Sequence, residues 1–132
     1  MFLVDTNVWL ESLLGQERSA EADRFLTDAG AEALAITDFS LHSIAIILLR
    51  LERADTLDQF LTDIASEPAV AVLSVETLEL RRAAHLHARF GLDFDDAYQY
   101  LATQIYGCTL VTYDADFDRT DLPRTTPADI AP

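Results

Sequence analysis

Phe2-Leu3-Val4-Asp5 and Thr109-Leu110-Val111-Thr112-Tyr113-Asp114 are two apolar runs that each close on an aspartate. Between them, Asp93, Asp95 and Asp96 open a helix-like segment. If both runs are parallel strands, their carboxyl ends share one edge of the sheet, the edge where open α/β folds place their ligands. Carboxylates gathered at one edge repel one another unless a cation neutralises them, so this pattern points first to a divalent metal.

Working outward from these runs, apolar patterning predicts strands over 2–4, 33–36, 70–73 and 109–112, with a short fifth at 124–126. Helical spacing fills the intervals: 7–14 up to Gly15, 19–29 up to Gly30, and 37–53 with Thr37 as cap. A further helix starts at Thr56 and stops before Pro68, a long one covers 74–90 up to Gly91, and a last one runs from Phe94 or Asp95 to Tyr106. Strands separated by helices require parallel crossovers, so the expected architecture is an α/β domain over 1–132 with a central parallel sheet flanked by helices. Trp9, Phe25 and Phe60 fall at core-like positions, and His42 lies in an apolar helix where a core or boundary place is expected.

Composition narrows the function. Half of the 132 residues are apolar, which argues for a folded core. No apolar run approaches the roughly 20 residues that a membrane-spanning helix needs, and no signal-like segment opens the chain. A soluble cytoplasmic protein without membrane contact is expected. There are 23 acidic residues, 15 of them aspartate, against nine arginines and no lysine, for a net charge of −14. Such a surface stays hydrated at high salt, as in a salt-accumulating source; GC-rich coding is the other explanation for the missing lysines. It argues against passive nucleic-acid binding through a basic face, because phosphate affinity comes mainly from Lys and Arg. A nucleic-acid substrate would need local arginines or a bound metal as a bridge. Arg81, Arg82 and Arg89 are expected to be exposed and paired with acids, and the lone Cys108 to be structural.

Each acid also has a plain structural reading, since aspartates after strands often cap helices or form turns. Their joint placement is what favours a metal site. A helix starting at Asp95 offers free N–H groups to Asp95 and Asp96, and Asp5 and Asp114 can reach the same crevice. Oxygen ligands without cysteine or a histidine pair suit Mg²⁺ or Mn²⁺.

At this point the residues resemble the PIN-domain nucleases, which include the ribonuclease toxins of VapBC toxin–antitoxin pairs. FLVDTNVWL at 2–10 is similar to the family's first motif, and DDAYQYLATQIYGCTLVTYDADF at 95–117 to its carboxyl-terminal signature. The resemblance implies that Asp5, Asp96 and Asp114 are the catalytic metal ligands, that Asp116 assists, and that Thr6, Asn7 and Thr112 support them. It also implies Mg²⁺ or Mn²⁺ as cofactor, RNA as substrate, an antitoxin protein as partner, and a homodimer. One position departs: register from Ile36-Thr37 puts the neutral Ser43 where the family usually has a glutamate. Asp38 lies about 140° around that helix and cannot simply replace it, which leaves Asp95 or Asp116 to compensate. A catalytically impaired PIN-like interaction module is therefore the alternative. An aspartyl-phosphate enzyme built on Asp5 is a weaker third reading, because Asn7 stands where such motifs need a second aspartate.

Overall fold

The computed structural model describes residues 1–130. Strands β1 (Phe2–Val4), β2 (Leu34–Thr37), β3 (Ala71–Leu73) and β4 (Thr109–Val111) pair in the order β3-β2-β1-β4, all parallel. The pairing sets Leu3 beside Ala35 and Leu110, and Val4 beside Val111. Side chains alternate along each strand, so neighbours in sequence enter opposite cores. Leu3, Ala35 and Leu110 join Ala97, Leu101 and Phe117 on one face. Val4, Ile36 and Val111 join Val8, Ile44 and Phe60 on the other. Both faces are covered, which is why the strands read as unbroken apolar runs.

Helices α1 (Thr6–Leu14), α2 (Ser19–Ala29), α3 (Asp38–Arg50) and α4 (Ala54–Ala65) supply the second core. Helices α5 (Arg82–Phe90) and α6 (Phe94–Tyr106) supply the first, and a short α7 (Pro127–Ile130) packs on α2. Trp9 and Phe60 are buried as expected and meet edge to face, the indole N–H donating to the Val4 carbonyl at 3.2 Å. Phe25 is buried as well.

The turn at Gly107 decides where β4 begins. Its φ of 65° is a left-handed conformation that ends α6, with its N–H directed at the Gln104 and Thr103 carbonyls. The chain then reverses into β4, which pairs with β1 and brings Asp114 to the same edge as Asp5.

Four expectations need correction. The helix over 74–90 is reduced to α5, preceded by irregular residues 74–76, a turn at 77–78 and a 3₁₀ turn at Glu79–Arg81. Val75 is buried in the same core as Leu86 and Tyr98 and donates its N–H to the Tyr98 hydroxyl at 3.0 Å, a tertiary anchor that holds this stretch outside the helix. The fifth strand shrinks to one parallel bridge between Val111 and Thr125, fixed by Thr112 N–H to the Thr125 carbonyl at 2.9 Å. His42 is exposed, because the buried stripe of α3 runs through Ser40, Ile44 and Leu48. Of the three helical arginines, only Arg82 takes an acid, Glu79 at 3.1 Å, while Arg89 lies over the Phe90 ring at 4.7 Å.

Candidate metal centre

Asp5 follows β1 and caps α1. Its backbone is extended, its N–H still bonds the Val111 carbonyl of β4, and its Oδ1 accepts the Thr6 N–H at 2.8 Å. The first residue past the sheet is thereby turned into the cleft. Oδ1 also accepts from the Gln99 amide at 2.8 Å, and Oδ2 accepts from the Thr112 hydroxyl at 2.8 Å, with a longer contact from Asn7 at 3.4 Å. Asn7 closes the frame by donating to the Thr112 hydroxyl at 3.1 Å and accepting the Tyr113 N–H at 3.0 Å. The Thr112 hydroxyl accepts a second bond, from Asp114 N–H at 2.9 Å.

Gln99 extends the frame to β2. It accepts from the Thr37 hydroxyl at 2.9 Å and donates to Ser40 Oγ at 2.9 Å, while Thr6 Oγ1 lies 2.9 Å from the same Ser40 oxygen. The Thr37 oxygen in turn caps α3 by accepting Ser40 N–H at 3.0 Å. The ends of β1, β2 and β4 are thus tied through one buried polar network, and no buried side-chain polar atom among the described residues is left without a partner.

The acids crowd the other side. Asp96 lies in the first turn of α6, and Asp114 caps a 3₁₀ turn at Ala115–Arg119 by accepting the Asp116 N–H at 2.8 Å. Asp96, Asp114 and Asp116 each offer a carboxylate oxygen, all within 4.8 Å of one another. Burial, followed by the charges of Asp114, Asp95, Asp5 and Asp116, pushes the Asp96 carboxyl up to about 8. Burial likewise raises Asp5, and Asp114 adds to this, although the bonds from Gln99, Thr112 and Thr6 pull the other way. One cation sits in the cluster: Arg119 pairs with Asp116 at 3.3 Å, with both side chains about half exposed.

A cleft of about 310 Å³ joins these parts, lined by Asp5, Asp95, Asp96 and Asp114 on one side and by Phe39, Ser40, Ser43 and Ile47 of α3 on the other. The α3 wall is neutral. Ser43 lines it as the sequence register requires, but Ser40, one turn earlier and 1% exposed, is the residue bonded into the Asp5 network. Asp38 turns away, its Oδ1 accepting from the Phe39 N–H and the Tyr98 hydroxyl. Asp93 is exposed and outside the cleft lining. Sequence reasoning missed Gln99 and Ser40. The available signal for Gln99 was a polar residue three places after Asp96, on the same face of a helix otherwise rich in core positions.

This donor set is all oxygen, negatively charged in excess of its single arginine, and free of cysteine and histidine. Such chemistry fits a hard divalent cation. Burial first, and the neighbouring carboxylates after it, hold the Asp96 carboxyl well above the usual carboxylate range.

The architecture is that of a parallel α/β domain with an acidic cleft at the carboxyl edge of its sheet. The PIN domain matches residues 2–122, and the chain belongs to the PIN-domain family. Among solved structures, VapC20 of Mycobacterium tuberculosis, described as a sarcin–ricin loop cleaving toxin, aligns with a TM-score of 0.80 at 19% identity over 100% of both chains. A toxin–antitoxin complex from Klebsiella pneumoniae gives a TM-score of 0.74 at 20% identity, covering 98% of this chain and 100% of that one. FitAcB from Neisseria gonorrhoeae gives 0.73 at 15% identity, with 98% and 100% covered. At these identities the likeness is one of fold. No curated protein matches the sequence. No helix of the described residues is long and apolar enough to cross a membrane.

Proposed function

We propose that this chain is a Mg²⁺- or Mn²⁺-dependent endoribonuclease, the cytoplasmic toxin of a VapBC-type toxin–antitoxin pair, with 1–132 acting as one domain. The observation that carries this reading is the approach of Asp96, Asp114 and Asp116 to within 4.8 Å, beside buried Asp5, in a PIN-family chain. Asp5, Asp96 and Asp114 hold the ion, and Asp116 assists. Within Asp5, Oδ2 has the more open coordination, because its second contact, to Asn7, is a long 3.4 Å. A cation bound there activates water and neutralises charge on a phosphodiester.

The remaining work belongs to the chain. Thr6, Asn7, Thr112 and Gln99 fix the Asp5 carboxylate in one orientation by hydrogen bonding. Burial and the neighbouring carboxylates push the Asp96 carboxyl up to about 8, and a divalent cation held by this cluster would favour its ionised form. Ser40 and Ser43 make a wall along which a phosphodiester strand meets no like charge. The net charge of −14 favours a basic antitoxin over a basic substrate face, in line with the toxin–antitoxin complexes among the structural neighbours. A homodimer is the proposed assembly.

The test is RNA cleavage with Mn²⁺ and Mg²⁺ at low and molar salt, comparing the native chain with Asp96→Asn. Metal-dependent cutting lost in the variant supports the reading; undiminished cutting by a folded Asp96→Asn protein overturns it. The neutral α3 wall favours a second reading, an interaction module with an impaired site. That reading requires that a Mn²⁺ titration of the native chain find no saturable site.

A further inference from the structure

Phe94 is the first residue of α6, directly before Asp95 and Asp96, and it is 49% exposed. Nothing about helix initiation asks for an aromatic ring there, and leaving half of one in water forfeits part of its burial gain. The ring is nonetheless firmly seated. It meets Phe39 edge to face at 5.8 Å and Tyr98 at 6.1 Å, and Phe39 packs on Tyr98 at 5.4 Å. Tyr98 is pinned from below, donating to Asp38 at 2.6 Å and accepting the Val75 N–H at 3.0 Å. Phe39 lines the acidic cleft itself. A supported ring with one open side therefore continues the neutral wall of the cleft outward.

We propose that Phe39 and Phe94 form a stacking platform for an unpaired base of a single-stranded RNA, next to the nucleotide whose phosphodiester enters the cleft. This rests on the ribonuclease reading for its substrate. The base would meet the neutral ring face that Phe39 joins to the cleft, while the phosphates beside exposed Asp93 and Asp95 would depend on the divalent cation for charge compensation. Stacking is sequence-tolerant and does not require the lysines this chain lacks.

The experiment uses Phe94→Trp, Phe94→Ala and Phe94→Leu in the full chain. The native Trp9 is 6% exposed, so the indole introduced by Phe94→Trp reports the platform against a shielded background. With Mg²⁺ present, an unstructured oligouridylate should quench the Phe94→Trp emission, and a matching abasic ribose-phosphate strand should bind about tenfold more weakly. Phe94→Ala and Phe94→Leu should each raise KM for RNA about tenfold at unchanged kcat and unchanged Mn²⁺ affinity. Equal binding of the abasic strand, or a Leu variant as good as Phe, overturns the platform. So does an unchanged KM accompanied by a shift of the native mass, which would assign the ring to a protein–protein contact. Quenching without cleavage by the native chain would sink the ribonuclease reading and leave the platform standing. Cleavage without quenching would do the reverse.

Discussion

Replacing Asp96 by Asn removes one carboxyl from the most crowded part of the cleft, and the consequence for metal-free stability can be worked out. In the fold the Asp96 carboxyl is pushed up to about 8, whereas in the unfolded chain it titrates near 3.9. Between those values the unfolded chain has lost a proton that the native state retains. Stability of the native protein therefore falls as pH rises through this window, by about 1.4 kcal/mol per pH unit at most, and levels off above it. The ideal sum over the window is about 5–6 kcal/mol; the opening of the cleft to water and relaxation among the acids reduce it to about 2–4 kcal/mol. The Asp96→Asn variant carries no such loss. For a chain of 132 residues, an unfolding entropy of about 2.1 cal/mol/K per residue converts this to an advantage of roughly 7–14 °C in Tm. Calorimetry or urea denaturation in EDTA at fixed ionic strength, at pH 5 and pH 8, reads the effect as a gap between the two proteins that widens towards pH 8. A gap of equal size at both pH values, or one that narrows, would refute the electrostatic account of the cleft.

Mn²⁺ at about one hundred times its dissociation constant should stabilise the native chain by about 2.7 kcal/mol and leave Asp96→Asn and Asp114→Asn nearly unshifted in thermal melts. Gln99→Leu breaks three buried hydrogen bonds, one of them to a carboxylate; urea denaturation should find a loss of about 2–4 kcal/mol, and cleavage should fall because Asp5 loses its α6 partner. Gly107→Ala forces an L side chain into φ 65° without meeting any neighbour, so the cost should be the conformational one alone, about 1 kcal/mol by the same assay. Ser43→Glu adds an acid to the neutral wall and should tighten Mn²⁺ binding in a calorimetric titration; unchanged affinity would show that Ser43 does not occupy the missing ligand position.

Much of the architecture was legible because local pattern and tertiary demand agree. The runs ending at Val4 and Val111 are apolar on both faces of a doubly covered sheet, and Gly15 and Gly107 stand where α1 and α6 stop. The gathering of Asp5 and Asp114 follows from parallel strands sharing a carboxyl edge, and Asp96 joins them from the first turn of α6. What escaped was set by partners distant in the chain. Residues 74–76 carry a pattern compatible with helix, yet Val75 is drawn into the core beneath α5 and α6, with its N–H held by Tyr98. Ser40 and Gln99 look like unremarkable helix residues until α3 and α6 meet over Asp5, 59 positions apart in sequence. Ser43 lines the neutral wall, but the chemistry of that wall is set equally by its buried neighbour Ser40 one turn earlier.

The Thr112 hydroxyl accepts two bonds, from Asn7 and from the Asp114 backbone, and gives its single proton to Asp5. An oxygen with both lone pairs and its hydrogen committed has no rotational freedom left. The carboxylate after β1 and the backbone that carries the carboxylate after β4 therefore share one fixed point, so a ligand drawing on one of them loads the other. In mechanical terms the cleft has a common hinge pin rather than independent arms, and a methyl group in place of that oxygen would let two walls separate at once.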